Sequence, residues 1–307
     1  MNSPITRKFE NKKFVYYYNG KVLTNEDMLS RIKKLHIPPN WVNVNISNSE
    51  IEYLQAFGYD NKGRIQYIYH PIWIALSKIE KYNRLKLFAK KIPLFMKIIN
   101  RKIHERINLT NKEYIIALIF RILDKTHSRI GNDCFAEENN TYGLTTLLKK
   151  HLTINEDTIG LLFIGKKGIE QQFVFTDKIS SNALKELIKI PGNRLFKTNN
   201  QDPVTSNDIN NYLKTIMGGD FTAKDFRTYA ANVLFLKFIL RKDIPSSTTQ
   251  AKKIVNECYD EVAEELHHTR SVCRSSYVMP IISEKYIENP SVFVSKNPSL
   301  TDIFDLE

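Results

Sequence analysis

Apolar and polar positions follow two different periods along the chain. Over the first seventy residues the period is short. Phe14-Val15-Tyr16-Tyr17-Tyr18, then Asn19-Gly20, then Lys21-Val22-Leu23 reads as a hairpin, because Asn-Gly accepts the left-handed backbone of a type I′ turn. Residues 41–46 alternate apolar and polar, as a half-buried strand does, and 51–59 and 64–69 flank a turn at Asp60-Asn61-Lys62-Gly63. His70-Pro71 is expected to close this region, since proline fits neither a central strand nor a helix interior.

From about Leu76 the apolar positions recur at helical spacing. The pattern predicts helices over 76–91, 94–106 and 111–127, the third capped by Thr110 or Asn111. Short strands follow over 152–154, 160–164 and 169–175, with Gly165-Lys166-Lys167-Gly168 as a turn. Helices resume over 180–190, 207–217, 222–240 and 248–267, and a short helix after Ser271 carries Tyr277. The fold class is therefore α+β. A small antiparallel β domain occupies residues 1–75, and a mostly α-helical domain with one small sheet occupies 76–307.

A chain of 307 residues suits two domains. Lys and Arg number 45 against 33 Asp and Glu, giving a net charge of +12 spread through the chain with no basic tail. Such a balance points to a polyanionic partner, usually nucleic acid, although a merely basic protein shares it. Cys134, Cys258 and Cys273 have neither CxxC nor zinc-ligand spacing, and the histidines at 36, 70, 104, 127 and 151 show no metal pattern. No metal or cofactor is expected, and the free thiols suit a reducing, intracellular compartment; cytoplasm, nucleoid and viral factory or virion all fit. The longest apolar runs, such as 115–120, are too short for a bilayer, the N-terminus lacks a hydrophobic signal region, and no Walker-type loop implies ATP.

One constellation carries chemistry. His268-Thr269 is followed at a fixed offset by Tyr277, and Lys224-Asp225-Phe226-Arg227 stands forty residues upstream. Phosphoryl transfer asks for positioning and for positive charge around the phosphate. A phenol can be the nucleophile, and two arginines and a histidine can hold the equatorial oxygens. Arg227 lies among Phe226, Tyr229 and Ala230 on an apolar helix, which argues for an inward charge. Arg129 ends a helical pattern just before Gly131 and is equally placed to cap a helix C-terminus. Tyrosine content alone singles out nothing, because the chain has fifteen.

Six segments in order resemble the type IB DNA topoisomerases of the small, monomeric poxvirus and bacterial kind. They are Asp60-Asn61-Lys62-Gly63-Arg64-Ile65-Gln66-Tyr67-Ile68-Tyr69-His70-Pro71-Ile72-Trp73, Arg129-Ile130-Gly131-Asn132, Tyr142-Gly143-Leu144-Thr145-Thr146-Leu147, Gly165-Lys166-Lys167-Gly168, Lys224-Asp225-Phe226-Arg227-Thr228-Tyr229, and His268-Thr269 through Tyr277. The resemblance implies that Tyr277 attacks the scissile phosphate to form a 3′-phosphotyrosyl link, that Arg129, Arg227 and His268 stabilise the transition state, and that Lys166 is the general acid, with Lys167 as its rival. His267 stands where the family usually has glycine. The resemblance further implies contacts to double-stranded DNA from Lys62, Arg64, Gln66, Tyr67, Tyr69, Asn132 and Lys224, although Tyr67 and Tyr69 could instead pack in the β core. Asn132 and Phe135 replace the lysine and tyrosine that poxvirus members carry after the first arginine.

The implied activity is nicking, swivel and religation that relaxes positive and negative supercoils without ATP or metal, by a monomer whose two domains clamp a duplex. No membrane partner is implied. A tyrosine site-specific recombinase is the first alternative, but that family places His-x-x-Arg where this chain has Lys224-Asp225-Phe226-Arg227. A non-catalytic architectural DNA-binding protein is the second.

Overall fold

The computed structural model describes residues 4–105 and 110–305. It divides into two compact units, Met1–Asn83 and Arg84–Glu307. The expected division at residue 75 thus falls eight residues earlier.

The first unit is an antiparallel six-stranded sheet in the order β3-β2-β1-β4-β5-β6. Its strands are β1 (Ile5–Glu10), β2 (Lys13–Tyr18), β3 (Lys21–Val22), β4 (Val42–Ile46), β5 (Leu54–Tyr59) and β6 (Ile65–Tyr69). Asn19 and Gly20 both take positive φ, 48° and 77°, as a type I′ turn requires. The periodicity missed α1 (Glu26–Lys34), which offers only a narrow apolar stripe in nine residues. Its ends carry the stronger signal. Asn25 accepts from the Met28 N–H, acidic residues fill the first turn and basic ones the last. Ile32 of α1 joins Ile5, Val44, Ile46 and Ala56 in the core. Arg7 is nearly buried, donating to the carbonyls of Ile37, Pro38 and Trp41 at 3.3, 3.0 and 2.7 Å with its guanidinium 4.3 Å from the Phe14 ring centre.

The helical pattern was expected to break at Pro93, giving two helices. Instead α2 (Pro71–Glu105) runs unbroken for 35 residues; residue 106, the end of the second expected helix, lies outside the described residues. Pro71 sits at the first helical position, where its missing N–H costs nothing. Interior Pro93 costs about 3 kcal/mol. Burial of Ala89, Ile92, Phe95 and Ile99 on both sides of it offsets that cost.

After α2 come α3 (Lys112–Thr126) and α4 (Asp133–Asn139), then a three-stranded antiparallel sheet of β7 (Leu152–Asn155), β8 (Thr158–Ile164) and β9 (Glu170–Thr176). Helices α5 (Lys178–Leu187), α6 (Ser206–Met217), α7 (Ala223–Ile239) and α8 (Thr248–Glu265) follow as the spacing predicts. A single helical turn, α9 (Arg270–Val272), leads into a π-turn at Cys273–Tyr277. Three further helices, α10 (Pro280–Glu288), α11 (Pro290–Lys296) and α12 (Leu300–Asp305), were not anticipated. Among the described residues no helix is long and apolar enough to cross a membrane.

An aromatic cluster ties the catalytic segment to this core. Phe226 of α7 lies 5.1 Å from Phe88 and 5.3 Å from Phe120 between ring centres, and Phe120 lies 4.9 Å from Phe95. Phe226 anchors the turn of α7 on which the next residue, Arg227, is presented. Phe226→Ala is expected to destabilise the full chain by about 3–5 kcal/mol. Urea unfolding checks this, with exposed Phe135→Ala as a control that moves stability by no more than about 0.5 kcal/mol.

Candidate active site

Arg227 is 3% exposed, and the carbonyl ends of two helices hold it. Its Nη1 donates to the carbonyl of His127, the left-handed C-cap of α3, at 2.6 Å. Its Nη2 donates to the carbonyl of Leu266, the C-cap of α8. The last carbonyls of a helix lack intrahelical partners and carry its partial negative charge, so a cation is favoured there. Burial, and secondarily the nearby charge of Arg129, bring the Arg227 pKa down to about 10, which still leaves it cationic at neutral pH. Its Nε is buried and has no hydrogen-bond partner among the described residues. Asp225, two residues back, closes the N-terminus of α7 by accepting from Thr222 N–H at 2.7 Å and is forked by Arg84 at 2.8 and 2.5 Å.

Tyr277 is 9% exposed, at the end of the π-turn, with its ring 5.5 Å from the Arg227 guanidinium carbon. A side chain that sequence reasoning missed fixes its backbone. Asn232, fully buried and five residues after Arg227 on the same helix, donates through Nδ2 to the Tyr277 carbonyl at 3.0 Å and accepts from Met279 N–H through Oδ1 at 2.8 Å. Tyr277 and the cation therefore hang from one helix. An asparagine inside an apolar helix, where it neither caps nor turns the chain, was the available signal.

Burial alone would raise the phenol pKa of Tyr277. The positive charges of Arg227 and Arg129 outweigh it, and the pKa is lowered. The His268 imidazole lies flat on the phenol ring, 4.9 Å between centres and 3° between planes. Burial, then Arg227, brings the His268 pKa down to about 4, so the ring is neutral at neutral pH. Its Nδ1 faces the Thr269 carbonyl at 3.3 Å, while Nε2 is buried and unpaired among the described residues. His267 has a different place. Expected to face solvent or back the helix, it lies edge-on to Phe173 of β9 at 5.1 Å, on a backbone with φ of 48°. That left-handed conformation explains why glycine suits this position and turns only the following histidine toward the phenol.

Arg129 is half-buried in the loop between α3 and α4, and His127, not Arg129, caps α3. The loop is fastened to the segment after Gly143. Leu144 N–H donates to the Arg129 carbonyl at 2.9 Å, and Thr145 N–H to the Ile130 carbonyl at 2.7 Å. A Cβ on Gly143 would stand 2.4 Å from Gly131 N and 2.6 Å from the Arg129 carbonyl, so only glycine permits this approach.

Lys166 is not brought onto this cluster. It is exposed in the turn between β8 and β9 and, among the described residues, shares no hydrogen bond or ion pair with Arg129, Arg227, His268 or Tyr277. Its neighbour Lys167 is exposed too, with φ of 67°. Asn132 caps α4 by accepting from Cys134 N–H at 3.0 Å, leaving an exposed residue whose side-chain oxygen is already engaged. Lys224 is exposed in the first turn of α7.

In the first unit, Asp60 organises the expected DNA contacts. It accepts from Lys62 N–H at 2.9 Å, takes the Arg64 guanidinium at 2.9 and 2.7 Å, and accepts from Gln66 Nε2 at 3.1 Å. Its hydrogen bond with Arg64 leads in lowering its carboxyl pKa to about 2. Tyr67 and Tyr69 do not pack in the core. They are exposed side by side on β6, rings 5.9 Å apart. Burial raises Cys258 and Cys273 to about 12, leaving them poor nucleophiles, and Cys134 is exposed. No cluster of His, Cys, Asp and Glu that could hold a metal occurs among the described residues.

Two guanidinium groups, an imidazole and a phenol of lowered pKa thus form one cluster in a basic chain. Such a site can seat a nucleic-acid phosphate against a tyrosine. Comparison with known proteins narrows this class. Residues 73–289 match the family described as eukaryotic DNA topoisomerase I, catalytic core, and residues 13–60 match the bacterial DNA topoisomerase IB N-terminal domain. DNA topoisomerase 1B of Acanthamoeba polyphaga mimivirus is 35% identical over 303 residues, covering 94% of this chain and 89% of its own. DNA topoisomerase 1B of Vaccinia virus (strain Copenhagen) is 26% identical over 300 residues, covering 88% of each chain. A solved structure of the XerH site-specific recombinase bound to its difH substrate aligns with a TM-score of 0.39 and 16% identity over 62% of this chain and 51% of its own. The chain belongs to the type IB DNA topoisomerases, and so is a DNA-acting isomerase.

Two outcomes are expected from this geometry. Asn232→Ala leaves a buried N–H and a buried carbonyl unpaired, at about 1–3 kcal/mol each. Single-turnover cleavage should fall more than DNA affinity, and unfolding together with cleavage assays checks both effects. His127 and His268 are both held near 4, burial being the larger cause and Arg227 the next. The unfolded chain protonates them near 6.5, so their contribution to stability is full above that pH and is lost as pH falls through 4. The urea midpoint should fall over this window, and less steeply in His127→Asn, which keeps a side chain tolerant of the left-handed cap.

Proposed function

We propose that Tyr277 is the nucleophile of a transient single-strand break that relaxes positive and negative supercoils. The phenol oxygen bonds to the scissile phosphorus and loses its proton to solvent. The P–O5′ bond breaks, leaving a 3′-phosphotyrosyl ester and a 5′-hydroxyl that takes its proton from Lys166. Religation is the reverse, and the ester conserves the bond energy, so neither ATP nor a metal takes part in the proposed cycle. Arg129 and Arg227 neutralise the non-bridging oxygens, each fork matching a phosphate. The observation that carries this reading is the Tyr277 phenol, whose ionised form two arginines favour despite burial.

The imidazole of His268 joins them in a defined protonation state. Its bond to the Thr269 carbonyl requires the proton on Nδ1, which leaves Nε2 a lone pair in the neutral ring. An arriving phosphate raises the imidazole pKa, and the resulting cation donates from Nε2 to a phosphate oxygen. Lys166 reaches the 5′-oxygen only when DNA orders its exposed turn. In the first unit, Tyr67, Tyr69 and Lys62 present hydroxyls and a cation to the backbone, and Arg64 and Gln66 face DNA in the arrangement set by Asp60. Asn132 and Lys224 add contacts beside the site. The enzyme works as a monomer in a reducing intracellular compartment.

Plasmid relaxation in EDTA without ATP, run with wild type and Tyr277→Phe, tests the reading. Wild type is expected to relax both signs of supercoil and to leave protein on a labelled 3′ end. The variant is expected to bind DNA but form no adduct. A persistent adduct in Tyr277→Phe, or no relaxation by wild type at any salt concentration, overturns the assignment.

A further inference from the structure

Arg194 stands outside the cluster, yet its contacts converge on the loop that carries Arg129. Its Nε donates to the Thr145 carbonyl at 2.8 Å, and its Nη1 meets Asp133 Oδ1 at 2.5 Å. These two acceptors bracket the Arg129 loop. Thr145 holds the Ile130 carbonyl through both its N–H and its Oγ1, at 2.7 and 2.8 Å, and Leu144 N–H holds the Arg129 carbonyl. Asp133 opens α4 on the other side of Gly131. The backbone of Arg194 is itself fixed, bridged antiparallel to Leu148, with the neighbouring Leu195 N–H donating to the Leu147 carbonyl at 2.9 Å.

The guanidinium therefore clasps the two ends of the short path from Ile130 to Asp133 to one rigid segment. The Gly131–Gly143 approach leaves the path little room to shift. The ion pair is partly buried, its side chains 23% and 36% exposed, and the remaining donor, Arg194 Nη2, is buried without a partner among the described residues. An unpaired buried donor costs stability, so the fork is poorly explained as a fastener alone.

We propose that Arg194, with Asp133, is a positioning residue that sets where the Arg129 guanidinium meets the scissile phosphate. The proposal rests on the role given to Arg129 above. Displacing a catalytic group by about 1 Å can cost on the order of 100-fold in rate. The clasp acts on Arg129 and not on the phosphate, so its effect should vanish when Arg129 is already gone.

Single-turnover cleavage of a labelled duplex at saturating enzyme tests this by a double-mutant cycle. Arg194→Ala is expected to slow cleavage about 10- to 100-fold with DNA affinity little changed. Asp133→Asn, a near-isosteric change that keeps the helix start, should slow it less. Arg194→Lys, which can reach one of the two acceptors, should recover part of the rate. In the Arg129→Ala background, Arg194→Ala and Asp133→Asn should have no further effect. An equal slowing in both backgrounds overturns the proposal, as does full activity of Arg194→Ala while Arg129→Ala is impaired. If Arg129→Ala itself cleaves normally, the role of Arg129 falls, and this proposal falls with it.

Discussion

Everything in the catalytic unit that bears on chemistry depends on one buried cation, Arg227. A guanidinium with 3% exposure is expensive unless its donors are matched. Here the C-terminal carbonyls of α3 and α8 match two of them. The same two helix ends deliver the other parts of the site. The chain leaving α3 at His127 reaches Arg129 two residues later, and the chain leaving α8 at Leu266 reaches His268 two residues later. The cation is thus the point at which three segments distant in sequence are brought to one place. The charge that holds them together is also the first to lower the pKa of the Tyr277 phenol against burial, and it adds to the burial that keeps His268 neutral.

The backbone around this cation takes conformations that few residues accept. His127 and His267 both sit at positive φ, 50° and 48°, each immediately after a helix end. Left-handed caps stop α3 and turn the chain after α8 so that the next side chains face inward. Tyr277 is then set by a π-turn, whose extra residue re-aims a side chain relative to an α-helix, and Asn232 fixes the two peptides that follow it. Positive φ and a π-turn are stored where the surrounding contacts over-determine them, which is the pattern of a site built for position and not for stability.

The first unit solves a different problem, that of offering polar and aromatic groups to a partner without collapsing them into its own core. Asp60 holds Arg64 and Gln66 in a fixed frame, so the contacts proposed for these side chains cost less freedom. Tyr67 and Tyr69 flank Ile68, which packs on the core, and stack on each other outside. The core lies on the other face of the sheet, where Ile5, Val44, Ile46 and Ala56 meet α1.

Periodicity and turn residues were enough for β2 to β9 and for α3, α5, α6, α7 and α8, but gave no segment for β1, because only long amphipathic or alternating segments write their burial into the order of residues. It failed for α1, whose caps speak louder than its stripe, and at Pro93, where core contacts on both sides of α2 override a local helix breaker. The chain by itself also determined that Arg227, His268 and Tyr277 belong together, since their types and order carry the family's pattern. Only the folded structure decided that His267 turns away to Phe173, that Asn232 holds the backbone after Tyr277, and that Arg194 contacts both ends of the Arg129 loop. Each is a contact between residues tens of positions apart, or a matter of a single backbone angle, and neither leaves a periodic trace in the sequence.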